Sequence, residues 1–254
     1  MDPELRRRYL HAMGVQVWRP RGGGAGPTRG DLPTSAQVTT PLQYPAPEAG
    51  REPLGTTAEK DWEALKAEVL GCRACGLCET RTQAVFGVGD QQADLMIVGE
   101  APGADEDREG EPFVGRAGRL LNLMLAAIGL RRDQVYIANI LKCRPPGNRD
   151  PSPEEALRCE PYLLRQIELV RPAVVLSVGR ISAQNLLRTG SPVGRLRGQW
   201  FELGADKIPL AVTYHPAYLL RSPDQKALAW QDLQRVARKL SELQNSAAGR
   251  GHGR

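Results

Sequence analysis

The stretch GCRACGLCETR, residues 71–81, sets Cys72, Cys75 and Cys78 at intervals of three in a chain whose other cysteines are Cys143 and Cys159. An odd number of cysteines, three of them clustered, argues against a disulfide framework and for metal ligation or catalysis. Tetrahedral thiolates suit structural zinc as well as iron–sulfur chemistry, and spacing alone does not separate the two. A second group of reactive side chains sits where apolar runs end. GEAPG (99–103) follows LMIVG, Asn139 closes VYIAN, and His215 closes PLAVTYH. Taken singly, these are an ordinary turn, an end cap and a buried histidine. Their joint placement is harder to dismiss, because His11 and His252 lie near the termini and leave His215 as the body's one histidine, with an unperturbed pKa near neutrality.

Those residues must be carried by something. Four apolar runs, LMIVG (Leu95–Gly99), VYIAN (135–139), AVVLSVG (173–179) and PLAVTYH (209–215), are continuous rather than alternating, as in strands buried on both faces. Helical patterns lie between them: GRLLNLMLAAIG (118–129), PEEALRCEPYLLRQIELV after the cap Ser152, and SAQNLLR capped by Ser182, with DQKALAWQDLQRVARKLSEL (224–243) closing the body. Strand and helix in alternation predict an α/β fold, a three-layer αβα sandwich with a central, mainly parallel four-stranded sheet. The insert SPVGRLRGQWFEL (191–203) is read as a hairpin. Ligands of such sheets bind beyond the carboxyl ends of the strands, so Glu100, Asn139 and His215 should converge on one pocket.

Composition bounds the rest. The net charge of +5 and pI near 9.1 suit a polyanionic partner without requiring one. The start, MDPELRRRYLHAMG, lacks the apolar core of a signal peptide, and LLNLMLAAIGL (120–130) is too short for a bilayer; the expectation is a cytoplasmic protein without a membrane partner. Residues 1–57 are expected to form a basic arm and a disordered Gly/Pro-rich linker, residues 58–243 the folded domain, and 244–254 a disordered tail. In the arm, RRRYLHAMGVQVWRPR (6–21) reads either as a tail or helix packed on the body, or as a docking peptide in which Leu10, Val15 and Trp18 engage a replication or repair protein. This segment is similar to the N-terminal segment of the psi subunit of the bacterial clamp-loader complex.

Three motifs, GEAPG with REGEPFVGRAGRLL, VYIANILKCRPPGNRDP, and YHPAYLLR, in this order and with matching cysteines, resemble the family 4 uracil-DNA glycosylases, the iron–sulfur enzymes of bacteria and archaea. The resemblance runs from about Cys72 to Leu240. It implies a monofunctional, monomeric DNA glycosylase that flips uracil from single- or double-stranded DNA and hydrolyses its N-glycosidic bond. It implies a 4Fe-4S cluster held by Cys72, Cys75, Cys143 and Cys159, with Cys78 left as a free thiol. Asn139 would read the uracil edge, Phe113 stack on the base, and His215 hydrogen-bond O2 as charge develops. Glu100 would orient water, Glu100 and Ala101 line the pocket, and Glu106 gate against thymine. Many members have glycine where this chain has Ala101. The implied DNA grip comes from Arg144 and Arg149, Arg195 and Arg197, a wedge at Leu219 or Leu220, and Arg221. A covalent-capture relative carries a histidine-bearing insertion after the second strand; here CRPPGNRDPSPEEA runs straight through, so ordinary turnover is expected. Two rival readings are a catalytically silent iron–sulfur or zinc DNA-binding module and a redox protein.

Overall fold

The computed structural model describes residues 3–15 and 57–250. Most of the expected linker, Trp18 and His252 lie outside the described residues. A first helix, α1 (Pro3–Ala12), is followed by α2 (Trp62–Gly71), whose Asp61 cap accepts from the Ala64 amide at 2.9 Å. Then come β1 (Val88–Gly89), β2 (Leu95–Gly99), α3 (Ala104–Glu109), α4 (Arg116–Ala127), β3 (Tyr136–Asn139) and α5 (Pro153–Val170). The chain continues through β4 (Val174–Val178), α6 (Arg180–Leu187), α7 (Val193–Leu196), β5 (Trp200–Leu203), β6 (Ile208–Thr213), α8 (Pro216–Arg221) and α9 (Lys226–Arg250).

The sheet runs β1-β3-β2-β4-β6-β5. Its four inner strands are parallel and correspond to the four apolar runs; β1 and β5 extend it at both edges by antiparallel pairing, making six strands among the described residues. Residues alternate between two cores. Leu95, Ile97, Leu176 and Val178 face α1, α4, α8 and α9, whereas Met96, Val98 and Val175 face α5, α6 and α7. Because β2 sits between β3 and β4, the chain reverses its direction of growth there, which opens a crevice at the strand ends. The fold is therefore the expected αβα sandwich with a wider sheet. The insert at 191–203 is only partly a hairpin: its first half forms α7, and β5 then pairs antiparallel with β6.

Two terminal expectations change. Leu10 and Met13 are buried against α4 in the protein's own core, with Val15 packed beside them. Two of the three apolar anchors assigned to a docking partner are thus used internally, as an amphipathic helix with a core within reach uses them. At the other end, α9 continues past Leu243 to Arg250, through much of the tail expected to be disordered. Elongating a formed helix costs little, and Gln244 Nε2 bonds Asp94 Oδ2 at 2.9 Å. Among the described residues no helix is long and apolar enough to cross a membrane.

Candidate active site

A cavity of about 760 Å³ opens at the carboxyl ends of the inner strands. Glu100, Ala101, Glu106, Phe113, Asn139 and His215 all line it, so the sheet brings to one place side chains that are up to 115 positions apart in the chain, from Glu100 to His215. Asn139 ends β3, its side chain almost fully buried and its Oδ1 without any hydrogen-bond partner. Gly99 makes this possible. A Cβ there would come within 2.3 Å of that Oδ1 and 2.7 Å of the Phe113 ring.

Phe113 is held in a left-handed conformation, φ 56°, unusual for an aromatic residue and a mark of local strain. Its loop is pinned from both sides. Arg132 donates to the Pro112 and Phe113 carbonyls at 2.5 and 3.3 Å, and the Glu106 carboxylate accepts from the amides of Gly103, Val114 and Gly115 at 3.0–3.2 Å. Glu106 thereby knits the GEAPG turn to the Phe113 loop. The Phe113 ring lies 5.5 Å from the His215 imidazole, tilted by 31°.

His215 caps α8, and its Nδ1 accepts from the Ala217 amide at 3.1 Å. Nδ1 therefore carries no proton, which leaves Nε2 as an N–H donor in the neutral ring. Burial, reinforced by Arg221 and opposed by Glu106, lowers its pKa to about 4, so the ring is neutral at physiological pH. Glu100 moves the other way. Burial first, then the Asp150 charge, push its carboxyl up to about 7, against a downward pull from Arg180. Arg180 and Asp150 pair at 2.5 Å across the cavity wall.

The expected DNA contacts divide. Arg149 and Arg221 line the cavity and are exposed. Arg149 is also paired with Glu155, the carboxylate that completes the α5 capping box with Ser152. Arg144 bonds Asn148 Oδ1 at 2.8 Å, and Arg195 is exposed on α7; neither lines the cavity. Arg197, expected to grip DNA, is instead engaged within the protein: it makes two 3.0 Å bonds to buried Asp232 and one of 2.7 Å to the Leu228 carbonyl. Leu219, expected as a wedge, is wholly buried in the core, with Leu220 packed against the same cluster. On α8, Pro216 and Leu219 share the inward face, while Tyr218 and Arg221 share the face toward the cavity. Tyr218 is exposed and stacks on Tyr214 with ring centroids 5.1 Å apart. Tyr218, Arg180 and Asp150 escaped the reading from sequence, although Arg180 directly follows Gly179 at the one strand end to which no reactive residue had been assigned.

Cys72, Cys75, Cys143 and Cys159 gather away from this cavity, in a small core with Leu65, Val69, Leu77, Phe86 and Leu141. Donors point at their sulfurs. Arg81 reaches Cys143 Sγ at 2.8 Å, the Lys142 amide Cys159 Sγ at 3.2 Å, the Ala74 amide Cys72 Sγ at 3.4 Å, and Tyr162 Oη Cys72 Sγ at 3.3 Å. Such donors suit sulfurs that carry negative charge. Burial pushes the Cys159 thiol up to about 12, so a bound cation would be needed to hold it as thiolate at neutral pH. Among the described residues no group of three or more His, Cys, Asp or Glu side chains stands placed to hold a metal ion. No disulfide joins any of the five cysteines, and Cys78 is half-buried beside Cys75. The wall between the two centres is thin: Ala101 lines the cavity and packs against the cysteine core, which accommodates the methyl that a glycine would lack.

Comparison with known proteins points to one family. Residues 86–234 match the uracil DNA glycosylase superfamily. A type-4 uracil-DNA glycosylase from Archaeoglobus fulgidus is 44% identical over 70% of this chain and 92% of its own. One from Thermotoga maritima is 41% identical over 71% and 95%. A type-5 uracil-DNA glycosylase from Pyrobaculum aerophilum is more distant, 31% identical over 52% and 64%. With a strand-end cavity that joins Glu100, Asn139 and His215, and with relatives matched over nearly their full length, the chain belongs to the type-4 uracil-DNA glycosylases.

Proposed function

We propose that this protein excises uracil from DNA by hydrolysing the N-glycosidic bond, and that residues 58–243 with the flanking parts of α1 and α9 are the catalytic domain. The observation that carries the reading is the buried, unpartnered Oδ1 of Asn139 facing a cavity shared with an Nε2–H donor on His215. An orphaned buried acceptor costs about 1–3 kcal/mol unless a ligand satisfies it. Uracil N3–H supplies that bond while O4 accepts from the same carboxamide, a pattern that cytosine reverses.

The steps follow from the geometry. A nucleotide leaves the stack and its uracil enters the cavity, where Phe113 offers a ring face. As the C1′–N1 bond breaks, its electron pair goes to the base and is delocalised toward O2, which accepts from His215 Nε2–H. A neutral imidazole suits this role, because the hydrogen bond strengthens as charge develops and no proton need move. Glu100, once ionised, orients a water toward C1′, stabilises the positive sugar and takes the proton released on attack. Glu106 acts by holding the GEAPG and Phe113 loops and sets the pocket's shape near the base. Arg149 and Arg221 meet phosphates at the rim, and Tyr218 takes the place expected of a leucine wedge. A single chain supplies every one of these groups, consistent with action as a monomer, and cysteines that ligate a cluster instead of pairing as disulfides suit a cytoplasmic setting.

Cys72, Cys75, Cys143 and Cys159 would hold a 4Fe-4S cluster, which would supply a covalent staple between the end of α2, the loop after β3 and α5. Thiolates around a single zinc, at Zn–S about 2.3 Å, crowd more closely than those around a cluster. The resemblance to the iron–sulfur glycosylases favours the cluster over zinc, and metal content together with visible absorbance decides between them.

The decisive assay is uracil release from a labelled single-stranded oligonucleotide, with Asn139→Ala and His215→Ala as controls. Release by the native protein that either substitution cuts by about 100-fold or more supports the reading. A native protein that binds the DNA yet releases no base would instead make it a silent DNA-binding module.

A further inference from the structure

We infer that Lys142, which touches neither cavity nor DNA, is a positioning residue that fixes the base-reading carboxamide of Asn139 and ties it to the cysteine centre. The inference rests on the reading of Asn139 given above. The ladder between β2 and β3 ends at the pair Gly99 and Asn139, so the peptide that follows Asn139 lies beyond the regular sheet. Both sides of that peptide are nevertheless held. The Ile140 amide donates to the Gly99 carbonyl at 3.0 Å, and the Asn139 carbonyl accepts from Lys142 Nζ at 3.0 Å. Clamping that plane fixes Asn139 ψ, and with it the direction in which the side chain leaves the strand.

Lys142 is itself held from behind. Its Nζ donates to Gln166 Oε1 at 2.5 Å, and Gln166 Nε2 donates onward to the Phe86 carbonyl at 2.9 Å and Tyr136 Oη at 3.0 Å. Its backbone amide meets Cys159 Sγ at 3.2 Å, and its carbonyl accepts from Val85 at 2.7 Å. One residue thus contacts a proposed cluster ligand through its main chain and the carbonyl of the proposed base reader through its side chain. A lysine 1% exposed is a poor filler for a core, where a methionine of similar length would avoid burying an ammonium. Its place in the fold is therefore explained by what it holds in register.

The test uses the full chain with its iron content measured, single-stranded uracil oligonucleotide as substrate and free uracil as inhibitor. Lys142→Met is expected to fold with native iron content and lose about ten- to a hundredfold in kcat, with KM for DNA unchanged. Inhibition by free uracil should weaken by a similar factor, a change that a merely structural role would not produce. Because Lys142 acts through Asn139, the same substitution should cost no more than about twofold in an Asn139→Ala background. Native kcat in Lys142→Met, or a full further loss on top of Asn139→Ala, would overturn the inference alone. If Lys142→Met does not fold, Gln166→Met, which frees the ammonium on one side, must give the same pattern at smaller size, and failure to do so overturns it. A native protein that releases no uracil would overturn the functional reading, and this inference with it.

Discussion

Glu100 offers the sharpest test, because its two roles oppose each other. Burial and Asp150 raise its carboxyl from 4.5 to about 7, yet orienting water needs the ionised form. At pH 6 about a tenth of the molecules carry the carboxylate and at pH 8 about nine-tenths, so single-turnover uracil release should rise about tenfold between them. His215 adds no limb in this window, since its pKa lies near 4. Asp150→Asn removes a charge that raises Glu100 and frees Arg180 to lower it, so the limb should move to lower pH; Arg180→Gln should move it higher. The same shift acts on stability. An acid whose folded pKa exceeds its unfolded value stabilises the fold fully below the unfolded value near 4.5, and that stability is lost as pH rises through about 7. The full shift corresponds to about 3 kcal/mol, and screening by solvent at the cavity mouth reduces it to about 1–2 kcal/mol. Glu100→Gln should therefore be inactive, more stable than the native protein at pH 8, and equally stable near pH 4.5. Thermal unfolding at the two pH values and a rate profile from pH 5.5 to 8.5 measure both effects. A flat profile through pH 7, or Asp150→Asn moving the limb upward, would refute the reasoning.

Two other perturbations separate the site from its support. Gly99→Ala drives a methyl into Asn139 Oδ1 and the Phe113 ring, so kcat should fall by about 100-fold or more while DNA affinity, measured by fluorescence anisotropy, stays native. Leu219→Ala should cost about 2–5 kcal/mol of stability in denaturant unfolding, as for any buried leucine, whereas Tyr218→Ala should fold normally and weaken binding to uracil-containing single strands by about 5- to 150-fold. Equal behaviour of the two variants would show that α8 presents a different face to DNA.

What the sequence disclosed, and what it withheld, follows from how each signal is written. Continuous apolar runs mark strands buried on both faces, so the four parallel strands and the residues closing them, Asn139 and His215, were legible. The edge strands were less so: β1 has only two residues, and β5, placed within a hairpin, pairs instead with β6 and has Trp200 and Glu202 exposed while Leu203 is buried. Leu219 went astray because a motif gives an order of residues and not a helical face; the three-residue step from Pro216 to Leu219 and from Tyr218 to Arg221 assigns the faces once α8 is seen to start at Pro216. Arg197 could not be read at all, since its partner Asp232 lies 35 positions away and meets it only in the folded state. The same holds for Lys142 and Gln166, joined across 24 positions.

The distribution of unfavourable features also bears on enzyme against binding module. Around one cavity stand a phenylalanine in a left-handed conformation, a carboxyl raised to about 7, a histidine lowered to about 4, and a buried carboxamide oxygen without a partner; behind it lies a buried lysine. Such features occur elsewhere too, as left-handed Arg171, Arg188 and Lys207 and the buried unpartnered Thr57 Oγ1, but they do not gather around this cavity, and most of the fold obeys its patterns, with apolar residues alternating between two cores and α5 opening on a complete capping box. Gripping a polyanion requires rim arginines and an exposed ring, and nothing in that task requires strain or shifted titration at the bottom of a pocket. Bond cleavage does, because donors and carboxylates must be set in advance for charge that exists only in the transition state. A protein that merely bound DNA would gain stability by relaxing those positions, and it is their joint retention beside Asn139 that argues for chemistry.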